Sequence, residues 1–462
     1  MGVSKEIKDD IDRLIEQFQL EGRNILELPE QLAAALAVGV LRQREALPIL
    51  KDYYGKEDYS MQELTDIIRY SRIWPELLEE VTIVRSRQLR RELMLSAQRL
   101  LEEYPTLTLA DFSPLGEVME YLLDAIFRKG NKSCFFTPAN IARFMIELVQ
   151  PGGGTFWDPA CGSGVFLVEA MRGRKEGDHL PDLFGTDINE QMKRIARINA
   201  FFHGIKSARI VAEDALKEQR RFDVIVANPP VAAGRGNDRS YGHIAPTAVL
   251  HLQYLQMIPE HLLPGGRAAV LVNENVLFSQ KRTETKIREA LVEKYGLWAV
   301  FSLPRGAFAP YTNGKSSILL FGREQRPQEE ILFYELHQLG YTLDSKHTEK
   351  EENDIPKAMA VCAESDLYSD KWNMALQEGR TFNADGIEIP ENWPEENFWF
   401  ADCKTVRENR YVLLSDRYRP QIQKEQEVQE DYRELLDKLF HLEREAGEQM
   451  EQLMDIFHRE WI

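Results

Sequence analysis

Two short stretches hold the residue types and spacing that could do chemistry. Asn228-Pro229-Pro230 directly follows the apolar run Phe222 to Ala227, and it lies 70 residues beyond the start of Asp158-Pro159-Ala160-Cys161-Gly162-Ser163-Gly164. An amine conjugated to an aromatic base is a poor nucleophile, because its lone pair is delocalised into the ring. If the Asn228 side-chain oxygen and a backbone carbonyl both accept its hydrogens, the nitrogen becomes more pyramidal and its lone pair can face an electrophile. Proline fixes φ, so consecutive prolines hold that carbonyl rigidly. The arrangement is preorganised stabilisation of charge developing on nitrogen, and no tuned general base is needed before transfer. Asn-Pro also favours an ordinary strand-ending turn, so the second stretch decides how the first is read.

Asp158 to Gly164 follows Thr155-Phe156-Trp157 and precedes the helical run Val165 to Met171, the strand–turn–helix context of a nucleotide-type loop. Glycines at 162 and 164 let the backbone approach a ligand without a Cβ clash. The helix start offers free N–H groups to a carboxylate. Asp187 ends the next expected strand, 23 residues after Gly164, where an acid suits ribose hydroxyls. Ala160 in the loop and Ile188 beside Asp187 are the flanking contact candidates. Asp214 either accepts from a cofactor adenine amino group or caps a helix. Phe136 and Thr137 precede the helix 139–149, and Thr137 either caps it or contacts the far end of the cofactor. The two stretches together are expected to place S-adenosylmethionine beside an exocyclic amine. That predicts methyl transfer to a planar nitrogen, with N6 of adenine in DNA as target.

Positioning these loops requires a sheet. Residues 1–128 carry helical periodicity, as in Ile11, Leu14, Ile15 and Phe18, and predict an N-terminal helical domain. From 129 to 336 the pattern alternates between strand-like runs (155–158, 183–187, 208–212, 222–227, 267–273, 298–303, 316–322, 331–336) and amphipathic helices. The fold class expected is α/β, a Rossmann-like doubly wound parallel sheet with ligands at the carboxyl ends of its strands. Residues 337–420 are polar and predict a wrapping segment. Residues 421–462 predict a long helix: Val428, Tyr432, Leu435, Leu439, Leu442, Ala446, Leu453 and Ile456 step by four and three, interrupted at Gln449. That seam packs either on its own core or on another helix, and four heptads favour the second.

The chain has 462 residues, 43% hydrophobic and 29% charged, with no apolar run long enough to span a membrane and no signal-peptide core at its start. Cys134, Cys161, Cys362 and Cys403 have no metal-ligand spacing and read as reduced cytoplasmic thiols. The net charge of −18 opposes autonomous DNA binding, so the basic surface must be local or come from a partner. Asn313-Gly314-Lys315-Ser316-Ser317 imitates the end of a phosphate-binding P-loop, but Ala309 stands where that loop needs glycine.

At these residues the chain resembles the modification subunit of type I restriction-modification systems, a family of DNA adenine-N6 methyltransferases. Phe135 to Pro138, Asp158 to Gly164 and Asn228 to Pro230 are similar to the family's pre-loop, cofactor and catalytic motifs. Leu263 to Leu271, Ala309 to Lys315 and the segments within 333–356 are similar to its later parts, and the last of these sets it apart from protein-glutamine and RNA methyltransferases. The resemblance implies that Phe136, Thr137, Asp158, Gly162, Asp187 and Asp214 bind S-adenosylmethionine, and that Asn228, Pro229 and Pro230 hold the target amine. It implies DNA, a separate specificity subunit gripped by the C-terminal helix, a second copy of the chain and a restriction subunit as partners. The family usually has an aromatic residue after the two prolines, and here it is Val231. Base–aromatic stacking contributes ~1–3 kcal/mol, so the missing face predicts slower transfer unless Tyr241 or Phe136 replaces it. The alternatives are a catalytically silent scaffold with this fold and a methyltransferase for protein glutamine or RNA.

Overall fold

The computed structural model describes residues 2–45, 58–60, 62, 65, 83–129, 137–174, 178–230, 243–323, 329–344, 347–364 and 397–419. The chain divides into two units, Met1–Tyr418 and Arg419–Ile462. The second, with the expected helix 421–462, lies outside the described residues apart from Arg419.

The front of the chain is helical, as its periodicity predicts. Helix α1 (Lys5–Leu20) starts at Ser4, whose side chain accepts from the Ile7 amide, and it buries Ile7, Ile11, Leu14, Ile15 and Phe18. Helix α2 (Leu28–Val40) is buried along its whole length, as its apolar composition on every face requires. Helices α3 (Arg87–Glu103) and α4 (Gly116–Lys129) belong to the same layer. Its core is continuous with Met192, Ile195, Ile198, Phe201 and Phe202 of a later helix, so the helical layer packs directly on the sheet layer.

Among the described residues the main sheet has nine strands. Strands β1 (Thr155–Asp158), β2 (Asp182–Asp187), β3 (Arg209–Ala212) and β4 (Phe222–Ala227) are mutually parallel where they pair, and β4 pairs parallel with β5 (Leu262–Asn273). Side chains alternate along them as period-two geometry demands. Val224 and Val226 join the core beneath α5 (Ala139–Val149) and α6 (Val165–Met171), whereas Ile225 and Ala227 face the core beneath α8 (Leu250–Glu260) and α10 (Arg282–Glu293). Between these, α7 (Glu190–Phe202) follows β2, and the single turn α9 (Asn275–Phe278) follows β5.

The sheet departs from the all-parallel expectation at two strands. β6 (Leu297–Ser302) and β8 (Glu330–Glu335) are parallel to each other, but β7 (Ser316–Gly322) runs antiparallel to both β5 and β6. The link from β6 to β7, residues 303–315, contains no helix to return the chain to the amino edge. Strand β7 therefore starts where β6 ends and must run back. The stretch expected as irregular wrapping also contributes regular elements. It forms the two-stranded ladder β9 (Leu339–Tyr341) with β10 (Glu349–Asn353), helix α11 (Ile355–Glu364), and strand β11 (Phe398–Asp402), which pairs antiparallel with β8. Alternation in Phe398-Trp399-Phe400-Ala401 is the signal that marks β11: Trp399 and Ala401 are buried and Phe400 is exposed.

Strand order reverses between β1 and β4, with β2 and β3 on one side and β5 on the other. A doubly wound sheet opens its ligand crevice at such a point, beyond the carboxyl ends of the strands. The pair is pinned at the opposite edge: Asp223 Oδ2 accepts from the Thr155 amide at 2.7 Å and hydroxyl at 2.8 Å, and the Asp223 amide donates to the Thr155 hydroxyl at 3.0 Å.

Candidate active site

Both sequence motifs lie at the reversal. Phe156 pairs with Val224 and Trp157 with Ile225, so Asp158 ends β1 beside the last residues of β4, and Asn228 begins the turn immediately above. The two loops are therefore neighbours across a single strand spacing of about 4.8 Å.

The first loop is closed by its own side chains and by β2. Asp158 Oδ1 accepts from the Ala160 amide at 3.1 Å, folding the chain back at once. The Cys161 amide donates to the Thr186 carbonyl at 3.0 Å, and the Gly162 amide donates to Asp187 Oδ2 at 3.0 Å. Gly162 and Gly164 have φ of 50° and 80°, a region that glycine enters without strain. A Cβ on Gly164 would also meet Ala196 of α7 at 3.1 Å. Asp187 Oδ1 accepts from the Asn189 amide at 2.8 Å, which fixes its carboxylate at the crevice. Ile188, next to it, is 78% exposed and presents an apolar face there. Asp214 caps the turn Ala215–Lys217 through the Leu216 amide at 3.1 Å, which is the capping role anticipated for it.

Three residues the sequence reading did not single out hold this loop. Tyr254 of α8 donates its phenol to the Pro159 carbonyl at 3.3 Å. Asn199 of α7 donates to the Ser163 carbonyl at 2.9 Å. Thr186 accepts from the Trp157 indole at 3.0 Å, tying β1 to β2. Tyr254 lies four residues beyond Leu250, the first residue of α8, and nothing in its spacing points to a loop some 95 residues earlier.

The electrostatics follow from burial. Asp158 is fully buried, and burial pushes its carboxyl well above the usual carboxylate range, aided by the nearby Asp187 and opposed by the Ala160 N–H. Its Oδ2 has no hydrogen-bond partner. Burial also raises Asp187, against the backbone N–H groups of Asn189, Gly162 and Ile188. The Tyr254 phenol is raised by burial first and then by Asp187, Asp214 and Asp158. All three carboxylates therefore lie near enough to the Tyr254 phenol to act on it. The Cys161 thiol is pushed well up by burial and by Asp158 and Asp187, so it stays a buried thiol and offers no nucleophile.

The second loop centres on Asn228. Its Nδ2 donates to the Thr137 hydroxyl at 3.0 Å. Thr137 is 5% exposed, and the helix after it begins at Pro138 with no side-chain cap. Of its two anticipated roles, capping is therefore excluded, and its hydroxyl is engaged by Asn228. The contact orients the amide so that Oδ1 is the remaining acceptor. Pro229 is buried and Pro230 half-buried, so the turn is largely shielded from solvent. Phe136, Val231 and Tyr241 lie outside the described residues.

Residues 111–427 match the family described as N-6 DNA Methylase. The chain is 32% identical over 238 residues to the type I restriction enzyme EcoEI methylase subunit of Escherichia coli, covering 48% of each protein. It is 26% identical over 284 residues to the HindI methylase subunit of Haemophilus influenzae, covering 56% of this chain and 62% of that one. The matched region spans about half the length of these curated relatives. Among solved structures, a chain of a type I R-M system aligns over 100% of both chains with a TM-score of 0.62 and 23% identity. The type I restriction-modification methyltransferase subunit from Streptococcus thermophilus aligns with a TM-score of 0.58 and 18% identity, covering 88% of this chain and 98% of that one. These structures share the fold.

Proposed function

The chain belongs to the N-6 DNA methylase family, and from that premise we propose that it is the modification subunit of a type I restriction-modification system, transferring a methyl group from S-adenosylmethionine to N6 of adenine in DNA. The observation that carries this reading is the juxtaposition at the β1/β4 reversal: a glycine loop backed by carboxylates, and an asparagine whose amide nitrogen is engaged by Thr137.

The residues fit the cofactor. Asp187 and Ile188 suit ribose hydroxyls and an apolar ring face, and the orphaned Asp158 Oδ2 is a polar atom awaiting a partner. Gly162 and Gly164 supply a backbone surface free of Cβ atoms where a ligand must come close, Ala160 adds only a small half-buried methyl, and Asp214 completes the acidic rim. The negative rim at Asp187 and Asp214 suits a cofactor that carries a positive sulfur. When bound, S-adenosylmethionine supplies a methyl group activated by that positive sulfur.

Asn228 Oδ1 accepts one N6–H of an adenine swung out of the duplex, and the carbonyl carried by the rigid Asn228-Pro229-Pro230 turn accepts the other. In that geometry the N6 lone pair would face the cofactor's methyl group, with Asn228 and the turn carbonyl holding the two amine hydrogens as positive charge develops on nitrogen. The extra proton on N6 leaves to water. Stabilisation of the charge developing on nitrogen is worth most in the transition state, where that charge is largest. The domain reading that accompanies this is a helical front at 1–128, the catalytic sheet at 129–336, a strand-bearing segment at 337–420 and a partner-docking helix at 421–462. The partners are DNA, a specificity subunit, a second copy and a restriction subunit, in the cytoplasm.

The test is methyl transfer from labelled S-adenosylmethionine to unmethylated DNA by the chain co-expressed with its specificity subunit, with Asn228→Ala in parallel. Label on adenine N6 that disappears in the variant supports the reading. An assembled complex that binds cofactor and places no label makes the chain a silent scaffold, the outcome that Val231 motivates. Deleting residues 424–462 tests the docking helix, and undiminished assembly with the specificity subunit would remove that role.

A further inference from the structure

The chain carries a net charge of −18, which disfavours contact with a polyanion. The structure shows where that charge is not. Around the carboxyl edge of the sheet, the half beyond β2 and β3 holds Asp187, Glu190, Glu213 and Asp214, with Lys217 beside them and Lys193 paired with Glu190 at 2.5 Å. The half beyond β5, β7 and β6 holds Lys281, Arg282, Arg305 and Lys315 against Glu274 and Glu284. Lys315 is paired with Glu274 at 3.3 Å. Lys281, Arg282 and Arg305 are exposed and make no ion pair among the described residues.

Topology brings these three cations to the same edge of the sheet as Asn228, on the β5 side of it. Ala227 pairs with Val270, and β5 continues to Asn273. Its tip therefore rises about 10 Å above the level of Ala227, at ~3.3 Å per residue. The corner 274–282 forms the wall of the crevice on the Asn228 side. Asn273 pairs with Ser316, and Ser302 with Ser317, which brings the start of β7 and the end of β6, and with it Arg305, to the same level. Phe278, 41% exposed in the same corner, offers an apolar face to a sugar or base.

We infer that this wall is the phosphate-contacting edge of the protein, with Lys281, Arg282 and Arg305 gripping the backbone of the DNA strand that delivers its base to Asn228. The inference rests on the DNA reading above. The rim divides the work by charge: the acidic half favours a cationic cofactor, and the basic half accepts the polyanion. A duplex entering from the basic side keeps its phosphates away from Asp187 and Asp214. Unpaired cations are what this requires, because each must exchange its counterion for a phosphate.

The test is salt-dependent binding of a fluorescent 30-base-pair duplex by the full chain with its specificity subunit. It compares wild type, Lys281→Gln/Arg282→Gln/Arg305→Gln, and a control at the amino edge, Lys206→Gln/Lys404→Gln. Each phosphate contact contributes about 0.9 to the slope of log affinity against log salt. The triple variant is expected to lower that slope by about 2–3, the control to leave it unchanged, and all three to bind S-adenosylmethionine equally. A triple variant with wild-type slope overturns the assignment of this edge. A wild-type complex that binds no duplex overturns the DNA reading itself, which is a different result. Loss of cofactor binding in the triple variant would show that the corner supports the fold, and would overturn the inference as well.

Discussion

Among the described residues, the loop after β1 is closed by hydrogen bonds with β2, α7 and α8, whereas the asparagine after β4 is held through one side-chain hydrogen bond, to Thr137. The difference follows from what each must do. A loop that receives a ligand needs a fixed shape, and several weak bonds supply it. A side chain that acts on a reacting atom must keep one acceptor unspent, so it can be anchored only through its other end. The comparison predicts that damage to the first loop appears in binding and damage to the second in turnover.

Asn228→Ala should give the largest effect. Removing one preorganised hydrogen-bonding group from a developing charge costs on the order of 10²–10³ in rate. Asn228 makes no bond to the β1 loop, so cofactor affinity measured by calorimetry should stay close to wild type. A parallel collapse of affinity would break the division of labour between the loops.

Gly164→Ala is the reciprocal case. A non-glycine residue in the left-handed region costs of order 1–3 kcal/mol, and here its Cβ would also press on Ala196 at 3.1 Å. The expected result is a cofactor dissociation constant raised about tenfold or more, with methyl transfer at saturating cofactor largely retained. A variant with normal affinity and slow turnover would contradict the comparison.

Thr137→Val sharpens it. The substitution keeps the shape of a buried side chain and removes the hydroxyl that accepts from Asn228 Nδ2. A hydrogen bond is worth about 0.5–1.5 kcal/mol net, so turnover should fall up to about tenfold, and Thr137→Ser should restore it. A rise in the cofactor KM with unchanged kcat would return Thr137 to the cofactor-contacting role and detach it from Asn228.

How much of this was legible depended on whether a residue acts through its neighbours in sequence or in space. The β1 strand–turn–helix and the β4 run ending in Asn228-Pro229-Pro230 are local patterns, and both lie where they were expected. The dual nature of Asp214 was readable, because capping needs only the next two residues. Tyr254, Asn199 and the Thr137–Asn228 bond were not, because each contact joins residues 36 to 95 positions apart. The reversal of β7 was readable in principle from the helix-free link 303–315, since a parallel return needs a crossover of a dozen or more residues that usually forms a helix. β11 was hidden by the polar composition around it, and only the alternation across Phe398 to Ala401 marks it as a strand.

The smallest effect is a pH dependence that separates fold from binding. Burial raises the Asp187 carboxyl, with the N–H groups of Asn189, Gly162 and Ile188 pulling the other way. An acid whose pKa is higher when folded favours the fold below its unfolded value, and that contribution is lost as pH rises through the folded value. Ligand binding runs in the opposite direction, because ribose hydroxyls donate best to the ionised carboxylate. As pH falls through the raised Asp187 value, cofactor affinity should decline, while Asp187 itself gives the empty chain no reason to unfold. Calorimetric titrations with S-adenosylmethionine, with thermal melts at each pH, measure the two trends together. Asp187→Asn should bind more weakly and flatten the affinity profile. A wild-type profile that survives in Asp187→Asn would assign the titration to another group, and would mean that the β1 loop does not hold its ligand through this carboxylate.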